Sequence, residues 1–182
     1  MYLFHVSKIN RNKDEIDMSS SIKNDIKYAY FLIDAMNRYQ DFHSVFNSKI
    51  IQMYATEKDW TKEKIAVEAV FEYIRLTEYP NSPSRLLYTY FTDSLDSAKI
   101  FNHTERNGEG SIFKFDADGD KVFYYDMDIF HSAVRLLETI GLTQKTFEKL
   151  ITLSRKYWLT DKDGNTEIIY KGHPVLKKTK VY

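Results

Sequence analysis

Three stretches of the sequence bring together side chains able to hold and polarise a bound molecule. The first is the apolar run Tyr2-Leu3-Phe4-His5-Val6-Ser7, where an imidazole interrupts a strand-like pattern. A lone histidine on a strand is more often a satisfied core residue than a ligand. The second runs from Ser84 to Lys99 and carries Arg85, Tyr88, Tyr90 and Thr92 in an aromatic strand that turns straight into a capped helix. Its bland reading is strand-turn-helix packing with Arg85 at the surface. The third is Asn165 to Gly172, where Glu167 leads into Ile168-Ile169-Tyr170. A glutamate at a hairpin edge is the ordinary alternative there.

Other chemistries are excluded or unsupported by residue type and spacing. The chain has no cysteine, so disulfides, thiolate metal sites and a cysteine nucleophile are ruled out. The five histidines form no His-x-x-x-His pair, and no Gly-x-Ser-x-Gly, Gly-x-Gly-x-x-Gly or Walker sequence occurs. Asp116-x-Asp118-x-Asp120 and Asp161-x-Asp163-x-Asn165 resemble the start of a calcium loop. Their sixth positions are Lys121 and Thr166 and their twelfth are Met127 and Gly172, where that loop needs glycine and glutamate. Hairpin turns account for both.

Taken in order, His5, the phrase Tyr90-Phe91-Thr92-Asp93-Ser94-Leu95 with Ala98-Lys99, and Glu167 resemble the ADP-ribosyltransferase superfamily. The likeness is to its His-Tyr-Glu branch and to its small bacterial toxin-like and phage-defence members. The resemblance implies a single domain over 1–182 with a split β-sheet core flanked by helices. It also implies that NAD is the substrate. His5 would hold the adenosine-side ribose, and Tyr88 or Tyr90 would stack on nicotinamide. Arg85 would clamp the pyrophosphate. Ser7 and Thr92 complete the implied NAD-binding set, and Glu167 is the implied catalytic residue. A carboxylate beside the ribose stabilises the positive charge that builds as the nicotinamide bond breaks. Asn165 stands two residues before Glu167, so the Glu-x-Glu of the arginine-modifying branch is absent.

The acceptor is therefore left as a nucleic acid, another protein side chain or a small molecule, with a toxin or defence role and an antitoxin-like partner among the implications. A non-catalytic binding module on the same fold is the main alternative. NAD hydrolysis and RNA 2′-phosphate transfer are further ones, the last disfavoured because Arg85 is the only basic candidate.

Composition fits such a domain. Hydrophobic residues make up 43% and charged residues 29%, an ordinary globular balance. The 14 Tyr, 12 Phe and 2 Trp are unusual, and they predict many half-buried, cleft-lining rings whose hydroxyls need partners. The 26 basic and 26 acidic residues cancel, leaving no global field to draw the chain onto nucleic acid. The Lys177, Lys178, Lys180 tail reads as a solvated terminus. No early segment has the form of a signal peptide and no apolar run is long enough to span a bilayer. The expectation is thus a cytoplasmic protein with no membrane partner.

The elements that must position these residues follow from periodicity and punctuation. A strand is predicted over Tyr2 to Val6 and a loop over Asn10 to Ser21. A helix from Ser21 to about Tyr39 follows, with Ile22, Ile26, Ala29, Ile33 and Met36 on one face. A second helix is predicted from Thr61 to Leu76, stopped by Pro80 and Pro83. Arg85 to Phe91 reads as a strand, with Thr92-Asp93 capping a helix over Ser94 to Asn102. Ser111 to Phe115 and Val122 to Tyr125 read as a hairpin. Two helices, Ile129 to Ile140 and Thr143 to Tyr157, are separated by Gly141. A second hairpin is predicted from Trp158-Leu159 through the turn Asp161-Lys162-Asp163-Gly164 to Thr166–Tyr170, and a β-like stretch near Val175 ends the order. Strands at the start, middle and end with helices between predict an α+β fold.

Overall fold

The computed structural model of the chain describes residues 1–8, 10, 12–18, 26–58, 60–160 and 166–179. In chain order its elements are β1 (Tyr2–Ser7), β2 (Glu15–Asp17), α1 (Ile26–Asp34), α2 (Tyr39–Phe46), α3 (Lys49–Lys58), α4 (Lys62–Glu78), β3 (Tyr90–Phe91) and α5 (Leu95–Arg106). They continue with β4 (Ser111–Asp116), β5 (Val122–Asp126), α6 (Met127–Ile140), α7 (Gln144–Leu159), β6 (Thr166–Tyr170) and β7 (Val175–Lys178). The fold is α+β, and the described residues form two small antiparallel sheets and seven helices. The residues gather into two compact units. The first comprises 1–22, 88–124 and 167–182, and the second 23–87 and 125–166.

The first unit is built on β1. This strand pairs with β4 over its whole length, from Tyr2 opposite Asp116 to Ser7 opposite Ser111. The four-stranded sheet runs β1-β4-β7-β2 and the three-stranded one β3-β6-β5. Period-two alternation sends Leu3, Phe113, Phe115, Ile168, Tyr170 and Leu176 into one core. Val6 and Ile112 point the other way, onto Ala98 of α5, with Phe4 and Leu95 beside them. Ser94 caps α5, its Oγ accepting from Ser97 N at 3.0 Å. The expected cap residue Thr92 instead donates from Oγ1 to the Ser94 carbonyl at 3.2 Å.

Two predicted hairpins are corrected. β4 and β5 are not partners, because β4 lies between β1 and β7 while β5 belongs to the other sheet. The reason lies at the end of β4: Ala117 N donates to Met1 O at 2.7 Å, carrying the β1 pairing past Asp116. An Asp118-capped 3₁₀ turn then leads the chain away. Trp158-Leu159 is the end of α7 rather than a strand, since Trp158 Nε1 donates to the Phe71 carbonyl at 2.9 Å and holds the helix on α4. The turn expected over residues 161–164 lies outside the described residues, as do Ser21, Ile22 and Lys180.

The second unit centres on α4, which packs against α1, α3, α6 and α7. Thr61 caps it as expected, accepting from Lys64 N at 3.1 Å. Gly141, at φ +82°, separates α6 from α7, and Thr143 opens α7 in a reciprocal capping box with Thr146. The helix expected to reach Tyr39 ends earlier, at Asp34. Ala35 and Met36 donate to Leu32 and Ile33, closing α1 with tight i→i−3 bonds before α2 starts. The strand expected from Arg85 shrinks to Tyr90–Phe91, because residues 85–87 form a turn that buries Arg85.

Charge is buried along with the aromatic core of this unit. Arg85 donates from Nε and Nη2 to Glu68 at 3.0 and 3.3 Å, and from Nη1 to the Tyr157 hydroxyl at 2.7 Å. Its guanidinium also lies 4.0 Å from the centre of the Phe130 ring. Arg75 forms a second bidentate pair with Glu72 at 3.0 and 2.9 Å and reaches the Ser82 carbonyl at 3.1 Å. Both arginines thus tie the proline-containing segment back onto α4.

Removing one member of a buried pair leaves an uncompensated charge, so Arg85→Met is expected to destabilise the protein by about 3–5 kcal/mol in denaturant unfolding. Adding Glu68→Leu to that variant should recover much of the loss. At the surface, the hydrogen bonds from the Arg155 guanidinium hold the Glu78 carboxyl below the usual carboxylate range, against the opposing effect of burial. A depressed folded-state pKa gives stability that is present at neutral pH and lost as pH falls below about 4. The pair is largely exposed, so the effect is under about 1 kcal/mol. Acid titration of thermal stability should show that increment in the parent and not in Glu78→Gln.

Candidate functional site

His5 and Ser7 stand on β1, Tyr90 on β3 and Glu167 on β6, all in the first unit, with Thr92 just beyond β3. Among the described residues one backbone pair bridges β1 to the chain just beyond β3. Phe4 N donates to Thr92 O and Thr92 N to Phe4 O, each at 2.9 Å. On its far side β3 pairs with β6, Phe91 opposite Ile168 and Tyr90 opposite Ile169. Continuing that register by one residue sets Thr92 opposite Glu167. Alternation then puts Tyr90, Thr92 and Glu167 on one face and Phe91 and Ile168 on the other.

His5 occupies the place where the β1–β3 ladder stops. The next pair of an antiparallel ladder would join Val6 to Tyr90. The Tyr90 carbonyl is contacted instead by His5 Nδ1 at 3.1 Å. The imidazole also meets Phe91 edge-on, with ring centres 5.8 Å apart. A carbonyl oxygen can only accept, so Nδ1 carries the proton and Nε2 of the neutral ring is the acceptor. The side chain is half-buried. It is thus a polar group at the opening between two strands, with its tautomer set by the backbone.

The remaining candidates are distributed less favourably. Ser7 is buried at the end of β1, its Oγ accepting from Asn10 N at 3.2 Å. Tyr88 is half-buried, its ring 5.8 Å from that of His173 and inclined by 33°. Glu167 is 8% exposed. Arg85 does not join this group. It belongs to the second unit, is 2% exposed and is already bound to Glu68 and Tyr157. A pyrophosphate clamp needs accessible guanidinium nitrogens, and burial in an ion pair denies them. Among the described residues no three His, Asp or Glu side chains converge as metal ligands, and no helix is long and apolar enough to cross a membrane.

Sequence inspection could not find the part played by Tyr90. Its contribution to His5 comes through its carbonyl, which depends on strand register and not on the side chain.

An α+β protein with an opened strand junction carrying a histidine, and a glutamate two strands away, is the class these observations define. The model of the family described as "Protein of unknown function (DUF2441)" matches residues 3–178, and the chain belongs to that family. No curated protein matches it.

The backbone contact makes a spectroscopic prediction. Nitrogen-15 NMR of the neutral His5 ring should show the Nδ1–H tautomer, and Thr92→Pro, which removes the amide that Phe4 accepts, should abolish that signature. A predominant Nε2–H form would contradict the geometry.

Proposed function

We propose that the protein is an NAD-dependent ADP-ribosyltransferase, a glycosyl-transferring enzyme acting on a nucleic-acid or protein acceptor in a toxin or defence setting. The observation that carries this reading is that β3, which bears Tyr90, pairs with β6, which bears Glu167, while Thr92 just beyond β3 bridges to Phe4, next to His5 on β1. His5 Nε2, an acceptor once Nδ1 is bound to Tyr90, suits a ribose hydroxyl donor. Glu167, with Tyr90 and Thr92 on its face, suits a ribose carbon that gains positive charge as nicotinamide leaves. In this scheme the bond broken is that between ribose C1′ and the nicotinamide nitrogen. The acceptor nucleophile forms the new bond to C1′ and gives up its proton. Arg85 is left out of the NAD-binding set.

The second reading, a binding module without turnover, draws on a specific pair of observations. Glu167 is only 8% exposed. Its face of the sheet is also opposite to the one shared by Phe91 and the His5 ring.

The test is release of nicotinamide and incorporation of labelled ADP-ribose from NAD, with cell extract and with single-stranded nucleic acid as acceptors. Glu167→Gln keeps the shape of the side chain and removes its charge, and it is expected to lower turnover about 100-fold or more. His5→Ala should raise KM for NAD more than it lowers kcat. Full activity in Glu167→Gln would sink the assignment of that residue. NAD binding without turnover in the parent protein would favour the binding module.

A further inference from the structure

The second unit carries an apolar face outside its core. α1 and α3 both pack on α4, and Leu32, Ile33 and Ile51 make their inward side. Their outward side is apolar as well, with Tyr30, Phe31, Ile50 and Met53 between 44% and 68% exposed. The Phe31 and Tyr54 rings stack with centres 6.5 Å apart and join the two helices into one surface. We infer that this face is the contact between two copies of the chain, related by a two-fold axis at Met53. The inference does not depend on the NAD reading.

Helical spacing draws the patch. Ile50, Met53 and Glu57 recur at three- and four-residue steps on the side of α3 turned away from buried Ile51. Half-buried Tyr54 leads from them across to Phe31. Exposure of that order on four large side chains amounts to roughly 400 Å² of mostly apolar surface. That is half of the ~800 Å² per partner in a specific interface, and such interfaces are a little over half apolar. The polar rim supplies the remainder.

The occupant is set by charge. Lys49 stands exposed at the start of α3 and Glu57 exposed near its end, with the apolar positions between them. Turning a second copy of the helix end for end about Met53 brings Lys49 of each copy to Glu57 of the other, and the two macrodipoles oppose. A parallel copy would set like charges together. A closed two-fold contact needs a self-complementary surface, and this helix presents one. The paired ends choose the orientation more than they add affinity. Exposed ion pairs exchange at little cost, so the match does not require Glu57 to lack partners within its own chain.

The chain contains no cysteine, which allows a clean probe. Met53→Cys, at the axis, is expected to form a covalent dimer under mild oxidation. Ile100→Cys, at a similarly exposed position on α5, is not. Sedimentation equilibrium should show the parent mainly dimeric at about 100 μM. Met53→Glu should weaken association about 30-fold or more, and Ile100→Glu should leave it unchanged. Lys49→Glu and Glu57→Lys should each weaken it about threefold, and combining the two should recover the parent value. Thermal unfolding checks that the variants fold. A parent that stays monomeric at about 100 μM overturns the proposal. So does a dimer insensitive to Met53→Glu, or one in which Met53→Cys does not cross-link. A monomer that binds phosphatidylglycerol vesicles, and loses that binding in Met53→Glu, assigns the face to a lipid surface and likewise overturns it.

Discussion

The first unit depends on how the backbone hydrogen bonds of β1 are divided between two neighbours. Towards β4 the strand is paired over six consecutive positions. Towards β3 it makes one complete pair, Phe4 with Thr92. The asymmetry gives β1 a secure edge and an open one. Backbone groups at the open edge must find partners other than a ladder, and the His5 ring meets one of them at Tyr90. The polar opening is therefore a product of strand pairing that begins and stops. Its surroundings are apolar, with Phe91, Phe115 and Tyr170 in mutual ring contact below it. A hydrogen bond set in such a frame is held more tightly than the same bond in water.

The second unit meets a different demand. Its central helix buries two glutamates and an arginine, and Arg85 adds a second buried cation. Each charge has a partner in bidentate or near-bidentate geometry, which is the condition under which buried charge is tolerated. Such pairs contribute less to net stability than apolar residues of equal size. They do exact directional matching, and only one placement of the turn after α4 satisfies both arginines. The tyrosine-rich core helps in the same way, Tyr157 giving its hydroxyl to Arg85 and its ring to Tyr125.

Local signals in the sequence translated well where the physics is local. Thr61, Gly141 and Thr143 mark helix ends by capping chemistry, and the structure uses them so. Expectations failed where partners lie far apart in the chain. The aspartate-rich turn between β4 and β5 has the composition of a hairpin, yet pairing with Met1 and β1 decides its path. Arg85 looked like a surface cation because nothing nearby in sequence neutralises it, while Glu68 and Tyr157 do so from other helices. α2 was missed because its N-cap, Arg38, makes no side-chain cap bond, and only Phe42 and Phe46 mark its buried side. At the candidate site His5 and Glu167 were legible by residue type. The junction that orients His5 was not, since it is set by register.

The strand order also has a consequence in time. β2, near the beginning of the sequence, is an edge strand whose neighbour is β7, near the end. During synthesis β2 stays without its strand partner until β7 has been made, whereas β1 and β4 can pair as soon as Asp116 is out. Non-local pairing of this kind slows folding and leaves sheet edges open to wrong partners meanwhile. The helical unit draws on only two segments, 23–87 and 125–166, so most of its contacts become available earlier. Synthesis thus delivers a helical body first and completes the sheet that carries His5 last.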